Sequence, residues 1–208
     1  FNRGIDHRPT FTSKKEYERA LLTLTYYHFV SPPVKLAHFL KLSNEDRQKI
    51  LWELHKQDKK LVEIISYCLM PNHFHLLLKQ VTDKGISKFL SQLQNSFTRY
   101  SNTKNERVGP LFLDQFKAVR IVSDEQLLHV SRYIHLNPLT SYVIKEFKDL
   151  ENYPWSSFME YLGQHDLEIC EKDLILNFFK NKHEFEKFTQ DQVNYQRELN
   201  KIKHLTLE

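Results

Sequence analysis

Residues 61–80, LVEIISYCLMPNHFHLLLKQ, constrain the fold more than any other stretch of the chain. Two apolar runs, LVEIISYCL and HFHLLLKQ, are separated only by Met70-Pro71-Asn72. A connection that short joins antiparallel neighbours and leaves no room for a crossover, so the pair predicts a hairpin. In the second run, alternation puts His73, His75 and Leu77 on one face and Phe74, Leu76 and Leu78 on the other.

The elements around the hairpin follow from periodicity. FNRG at the start looks like the tail of a strand. Ser13 and Glu16 form a capping-box pattern ahead of a helix whose Tyr17, Ala20, Leu21, Leu24 and Tyr27 recur at helical spacing. SPPVKL breaks it, and Ser43 opens a second, shorter helix with Ile50, Leu51 and Leu54 as its apolar stripe. Beyond the hairpin, Ile86, Phe89, Leu90, Leu93, Phe97 and Tyr100 mark a long amphipathic helix. SNTKNERVGP reads as a loop, QFKAVRIV as a strand, and Ser123 with Gln126 opens a helix that stops at Asn137-Pro138. ENYPWSSFMEYLG closes the unit, and from about residue 166 the pattern is helical, with a highly charged portion over 180–203. Apart from the extra short helix and the last one, this is the split βαβ order of a ferredoxin-like fold. The expected class is α+β: an antiparallel sheet with helices on one face, plus a C-terminal helical extension.

Composition narrows the setting. With 40% hydrophobic and 27% charged residues, the chain reads as a soluble globular protein rather than a disordered one. No apolar run approaches the ~20 residues of a membrane-spanning helix, and the first residues lack a signal peptide's apolar centre. Cys68 and Cys170 are too few for a disulfide framework or a cysteine-rich zinc site, so a reducing intracellular compartment is expected. A net charge of +4 permits an anionic partner, and eleven histidines make metal or phosphate chemistry worth testing.

On one strand face, His73 and His75 stand ~7 Å apart and can converge on one ion. Burying two uncoordinated imidazoles in an apolar strand is costly, which favours metal binding over two histidines bonded to backbone or water. Imidazole suits several divalent ions, so the pair leaves the metal open. The helix over 124–137 offers further groups: at about 100° per residue, Gln126, His129, Tyr133 and Asn137 share a polar stripe beside an apolar face of Leu127, Val130, Ser131 and Ile134. Asn137 brings an amide oxygen that could complete a metal site, and Tyr133 a hydroxyl that can act as a nucleophile. The same two residues also fit an amphipathic boundary tyrosine and a helix stop before Pro138. His129, one turn before Tyr133, is a candidate for proton transfer. Lys79, Lys88, Arg99, Lys104, Arg107, Lys117, Arg120 and Arg132 surround these elements, with Tyr100, Phe112 and Phe116 interleaved, as single-strand binding often requires. NRG at Asn2–Gly4 adds a basic segment.

YCLMPNHFHLLL, GPLFLDQFKAV, RYIHLNPL and YPWSSF occur in the order and approximate spacing of a known family. Over about Asn2 to Tyr161 the chain resembles the REP-associated tyrosine transposases, of the HUH class of single-strand DNA nucleases. The resemblance implies a ferredoxin-like catalytic domain over 1–162, its first strand truncated, and an extension over 163–208. It matches His73 and His75 to the pair that binds a divalent cation, magnesium or manganese. Asn137 matches the third ligand and Tyr133 the nucleophile. It implies cutting of single-stranded DNA near REP-like hairpins, a 5′-phosphotyrosine bond and rejoining of strands, in a cytoplasmic, nucleoid-associated bacterial protein with no membrane partner. Arg3, Arg99, Lys117, Arg120 and Arg132 are the expected DNA contacts. A monomer suffices if Tyr133 reaches its own chain's histidines; otherwise a dimer exchanging helices is needed. Gln115 departs from the family, where arginine is frequent.

A tyrosine suits reversible strand transfer because its pKa of ~10 lies well below that of a sugar hydroxyl, so the phenolate also leaves readily. The alternative is a catalytically inactive hairpin-binding protein of the same fold. A hydrolase of small phosphoesters fits less well, since the pattern supplies no acidic metal ligands.

Overall fold

The hairpin forms where residues 61–80 predict it. The computed structural model describes residues 1–164 and 169–194. In chain order these build β1 (Asn2–Arg3), a 3-10 turn (Ile5–His7), α1 (Lys14–Tyr27), α2 (Leu36–Phe39), α3 (Asn44–Gln57), β2 (Val62–Met70), β3 (His73–Gln80) and α4 (Gly85–Lys104). They continue with α5 (Asp124–Thr140), a second 3-10 turn (Phe147–Asn152), α6 (Phe158–Leu162), α7 (Asp173–Leu176) and α8 (Lys182–Gln190). The strands form a small antiparallel sheet in the order β1-β3-β2, the ferredoxin-like α+β arrangement. The chain divides into two units: Phe1–Asn2, Ile64–Leu77 and Phe116–Glu208 make the first, Arg3–Glu63 and Leu78–Gln115 the second.

In the second unit α1 packs on α4. Phe97 is its aromatic centre, 5.0 Å from Phe11 and 6.2 Å from Phe112 between ring centroids. Tyr26, Phe29, Leu36, Phe39 and Leu54 form a second apolar cluster. The capping box at Ser13 is present, and Glu16 does more than cap. Its carboxylate accepts from Thr12 N and Thr12 Oγ1, both at 2.6 Å, and pairs with Lys104 Nζ at 2.7 Å. Gly85 opens α4 where a Cβ would lie 2.1 Å from the Leu61 carbonyl oxygen, so no larger residue fits without moving backbone.

In the first unit β2 is buried almost throughout, and YPWSSF covers its outer edge. Leu69 N donates to Trp155 O at 2.8 Å and Ser157 N to Tyr67 O at 3.0 Å. The hydroxyls of Tyr153 and Tyr161 cap the Leu69 and Ile65 carbonyls, each at 2.7 Å. Backbone groups that would otherwise template another strand are thereby satisfied. α7 and α8 add Ile175 and Phe185 to this core, both fully buried.

Three expectations are corrected. QFKAVRIV forms no strand: Lys117 N donates to Phe1 O at 2.9 Å, but Val119 and Val122 are each 79% exposed. β1 is only two residues long and offers no extended row of partners, and β propensity without a partner makes no ladder. α5 runs through Pro138 to Thr140 instead of stopping before it. A proline this near a helix end removes one bond, while Leu139 and Thr140 are buried and Val143 N and Ile144 N both return to Pro138 O. α3 equals α1 in length at 14 residues. Past Leu162 the described residues form α7 and α8, and 165–168 and 195–208, including the end of the charged portion, lie outside the described residues.

Candidate active site

β3 sets the histidines. Strand alternation aims both imidazoles to one side, and their rings converge to 4.9 Å between centroids, nearly perpendicular at 84°. His73 Nδ1 donates to Asn72 Oδ1 at 2.6 Å. That bond places the ring proton on Nδ1 and the lone pair on Nε2, the way an outer partner orients a ligating imidazole. Phe1 lies nearly parallel to His75 at 5.3 Å and edge-on to His73 at 6.4 Å.

α5 brings the phenol. Ser123 caps it by accepting from Gln126 N at 3.2 Å, and Asp124 and Glu125 sit at its positive end. The half-buried Tyr133 ring stands edge-on to His75, 5.5 Å between centroids at 84°. His73, His75 and Tyr133 are thus in successive ring contact within one chain. Asn137 follows one turn along, 3% exposed, its amide nitrogen donating to the Tyr133 carbonyl at 3.3 Å, which leaves its amide oxygen as an acceptor. Two imidazoles and a neutral amide would fit a divalent cation of intermediate hardness. Among the described residues no group of three or more His, Cys, Asp or Glu side chains could hold a metal ion.

The neighbours of Tyr133 differ from what their types suggest. Arg132, counted among the DNA contacts, is 6% exposed and docked on α8. Its guanidinium sits 4.1 Å from the Phe188 ring centroid and donates to Phe188 O at 3.3 Å and to His129 Nδ1 at 2.6 Å. Burial draws its pKa below the ordinary value, against the charge of Asp191. Because arginine only donates, His129 Nδ1 accepts, and the ring proton sits on Nε2, 3.7 Å from Glu125 Oε1. His129 Nδ1 is therefore held by Arg132 and not by Tyr133. Lys117 and Arg120 are exposed in the same unit. Arg3, half-buried, and Arg99, exposed on α4, belong to the other unit, where Lys79 pairs with Glu63 and Lys104 with Glu16.

Sequence reasoning passed over Phe1 and His135. His135 is fully buried, its Nε2 2.8 Å from Ser157 Oγ and its Nδ1 without a partner. Burial lowers its pKa to about 3, so it is neutral. The signal was a histidine one turn from Ser131 on the face assigned to packing.

A family model described as "Transposase IS200 like" matches residues 22–137, more than half of the chain. No curated protein matches. A solved structure titled "Structure of the REP associates tyrosine transposase bound to a REP hairpin" is 14% identical, with a TM-score of 0.50 over 82% of this chain and 87% of that one, which shows a shared fold. The order of motifs, the sheet and the matched span agree: the chain belongs to the IS200-like transposase family.

Proposed function

We propose that this chain is a metal-dependent single-strand DNA endonuclease and strand transferase that acts near hairpins through a phosphotyrosine on Tyr133. The observation that carries the reading is the approach of the Tyr133 ring to His75, and of His75 to His73, inside one chain. The catalytic domain is residues 1–162, and one chain suffices for the site.

His73, His75 and Asn137 would hold the cation, which when bound polarises the phosphoryl oxygen and offsets negative charge in the transition state. The Tyr133 proton passes to solvent, with His129 Nδ1 held by Arg132. The phenolate oxygen then bonds to phosphorus as the bond from phosphorus to the 3′ oxygen breaks. That oxygen takes up a proton and leaves as a 3′-hydroxyl. The 5′ end stays on the tyrosine with its bond energy conserved, so a 3′-hydroxyl can later reverse the step. Lys117 and Arg120 are phosphate contacts for the single strand in the unit that carries Tyr133, and Arg3 and Arg99 are the candidate phosphate contacts of the other unit. A hairpin partner is supported by the fold shared with a transposase whose structure is titled as bound to a REP hairpin.

Labelled single-stranded DNA flanking a hairpin, incubated with the protein and manganese, tests the reading. A denaturant-resistant protein–DNA complex is expected from the wild type and none from Tyr133→Phe, with both binding the DNA. Binding without an adduct by the wild type leaves the inactive hairpin-binding protein. DNA cleavage that survives Tyr133→Phe means water is the nucleophile and refutes the proposal.

A further inference from the structure

The chemistry above gives YPWSSF no task, and its second serine is unusual in what it binds. Tyr67 N donates to Ser157 Oγ at 3.0 Å, and Ser157 Oγ lies 3.2 Å from Tyr67 O and 2.8 Å from His135 Nε2. The hydroxyl has one proton and two lone pairs. With its proton on Tyr67 O, it accepts from Tyr67 N and from His135 Nε2–H. One buried hydroxyl thus joins both main-chain groups of a β2 residue to a side chain of α5. One turn earlier on α5, Ser131 Oγ meets Ser66 Oγ at 2.9 Å, and all four residues of the two bonds are buried.

Packing alone does not explain an imidazole here. The rings of Tyr161, Phe158 and Phe185 surround His135 at 4.8, 5.7 and 5.8 Å, and its Nδ1 has no partner. An apolar ring would fill that space without leaving a polar atom unsatisfied. What the imidazole adds is direction. Ser131 and His135 share one face of α5, and Tyr133 lies between them in sequence on the opposite side. A part-turn rotation or a one-residue slide of the helix would break both bonds and carry the phenol away from His75. β2, which receives the Ser131 bond at Ser66 and the His135 bond through Ser157 at Tyr67, is the ladder neighbour of β3, which carries His75.

We infer that His135 and Ser157 are a positioning pair that fixes the rotation and height of α5 and so holds Tyr133 against the histidine pair of its own chain. The inference rests on the reading of Tyr133 as nucleophile.

The test compares His135→Phe, His135→Gln and Ser157→Ala with the wild type, using hairpin-flanked single-stranded DNA and manganese. DNA affinity is expected to stay within about twofold. The rate of adduct formation from the bound complex is expected to fall about 10- to 100-fold in His135→Phe and Ser157→Ala, the scale of a misplaced reacting group. His135→Gln, whose amide N–H can reach Ser157, recovers most of the rate, and the double variant is no slower than either single one. Folded variants that form adduct at the wild-type rate overturn the inference. Ser157→Ala, a small truncation, keeps the test open if His135→Phe does not fold. If the wild type forms no adduct, the nucleophile reading fails, and amide hydrogen exchange over residues 129–137 judges the pair: faster exchange in Ser157→Ala supports it and unchanged exchange refutes it.

Discussion

Mild acid should loosen this protein through His135. The imidazole has an ordinary pKa of 6.5 and burial lowers it to about 3. Below pH 6.5 the unfolded chain binds a proton at this residue that the folded chain refuses until pH falls near 3. Its contribution is therefore complete above 6.5 and declines with falling pH, by about 1.4 kcal/mol per unit. Between pH 7 and pH 5 the loss comes to about 2 kcal/mol, and the ceiling, reached near pH 3, is on the order of 5 kcal/mol. Against a typical domain stability of about 5–15 kcal/mol, this is a large share. The assay is urea unfolding of the wild type and of His135→Phe at pH 7, 6 and 5. The other ten histidines are common to both proteins and cancel in the comparison. The wild type should lose about 2 kcal/mol more than the variant from pH 7 to pH 5. Parallel pH dependences would refute the reasoning, because they would mean the folded chain takes up this proton as readily as the unfolded one.

Glu16→Gln should destabilise the protein by about 2 kcal/mol, since four donors converge on a carboxylate whose side chain is 3% exposed. Burial pushes the Glu16 pKa up, but the bonds from Lys104 and Thr12 outweigh it, so the net shift is downward. Its stabilisation is thus present above the ordinary 4.5 and lost as pH falls through the lower folded value, which acid unfolding of wild type and variant would display. A chelator should abolish adduct formation and leave the far-ultraviolet circular dichroism intact, and manganese should restore more activity than magnesium, because two imidazoles suit the softer ion. Arg120→Ala should lower the salt dependence of DNA binding by about one counterion, whereas Arg132→Met should leave that slope unchanged and lower the unfolding midpoint.

What was legible in the sequence is what local physics decides. A connection as short as Met70-Pro71-Asn72, of which the structure leaves two residues outside the strands, makes a tight hairpin, and side-chain parity puts His73 and His75 together. Ser43 and Ser123 cap helices through bonds reaching three residues ahead, so their helix starts were visible too. The misreadings share another cause. QFKAVRIV has the composition of a strand, yet a strand exists only where a partner does, and β1 provides two residues of one. Pro138 reads as a stop until the burial of Leu139 and Thr140 is weighed against one missing bond.

The same distinction runs through the site. Arg132 carries the charge of a phosphate contact, but its environment is set by Phe188, 56 residues away. The bond between His135 and Ser157 spans 22 residues and that between Ser131 and Ser66 spans 65. No periodicity announces such bonds. Their energy is modest, about 1–3 kcal/mol each when one partner is lost, yet both act on the same rigid-body freedom of α5. Apolar packing would tolerate several rotations of a helix whose buried face is broad. Two directional bonds one turn apart tolerate one. On the proposed reading of Tyr133 as nucleophile, polar atoms buried in the core are what make its meeting with His73 and His75 specific.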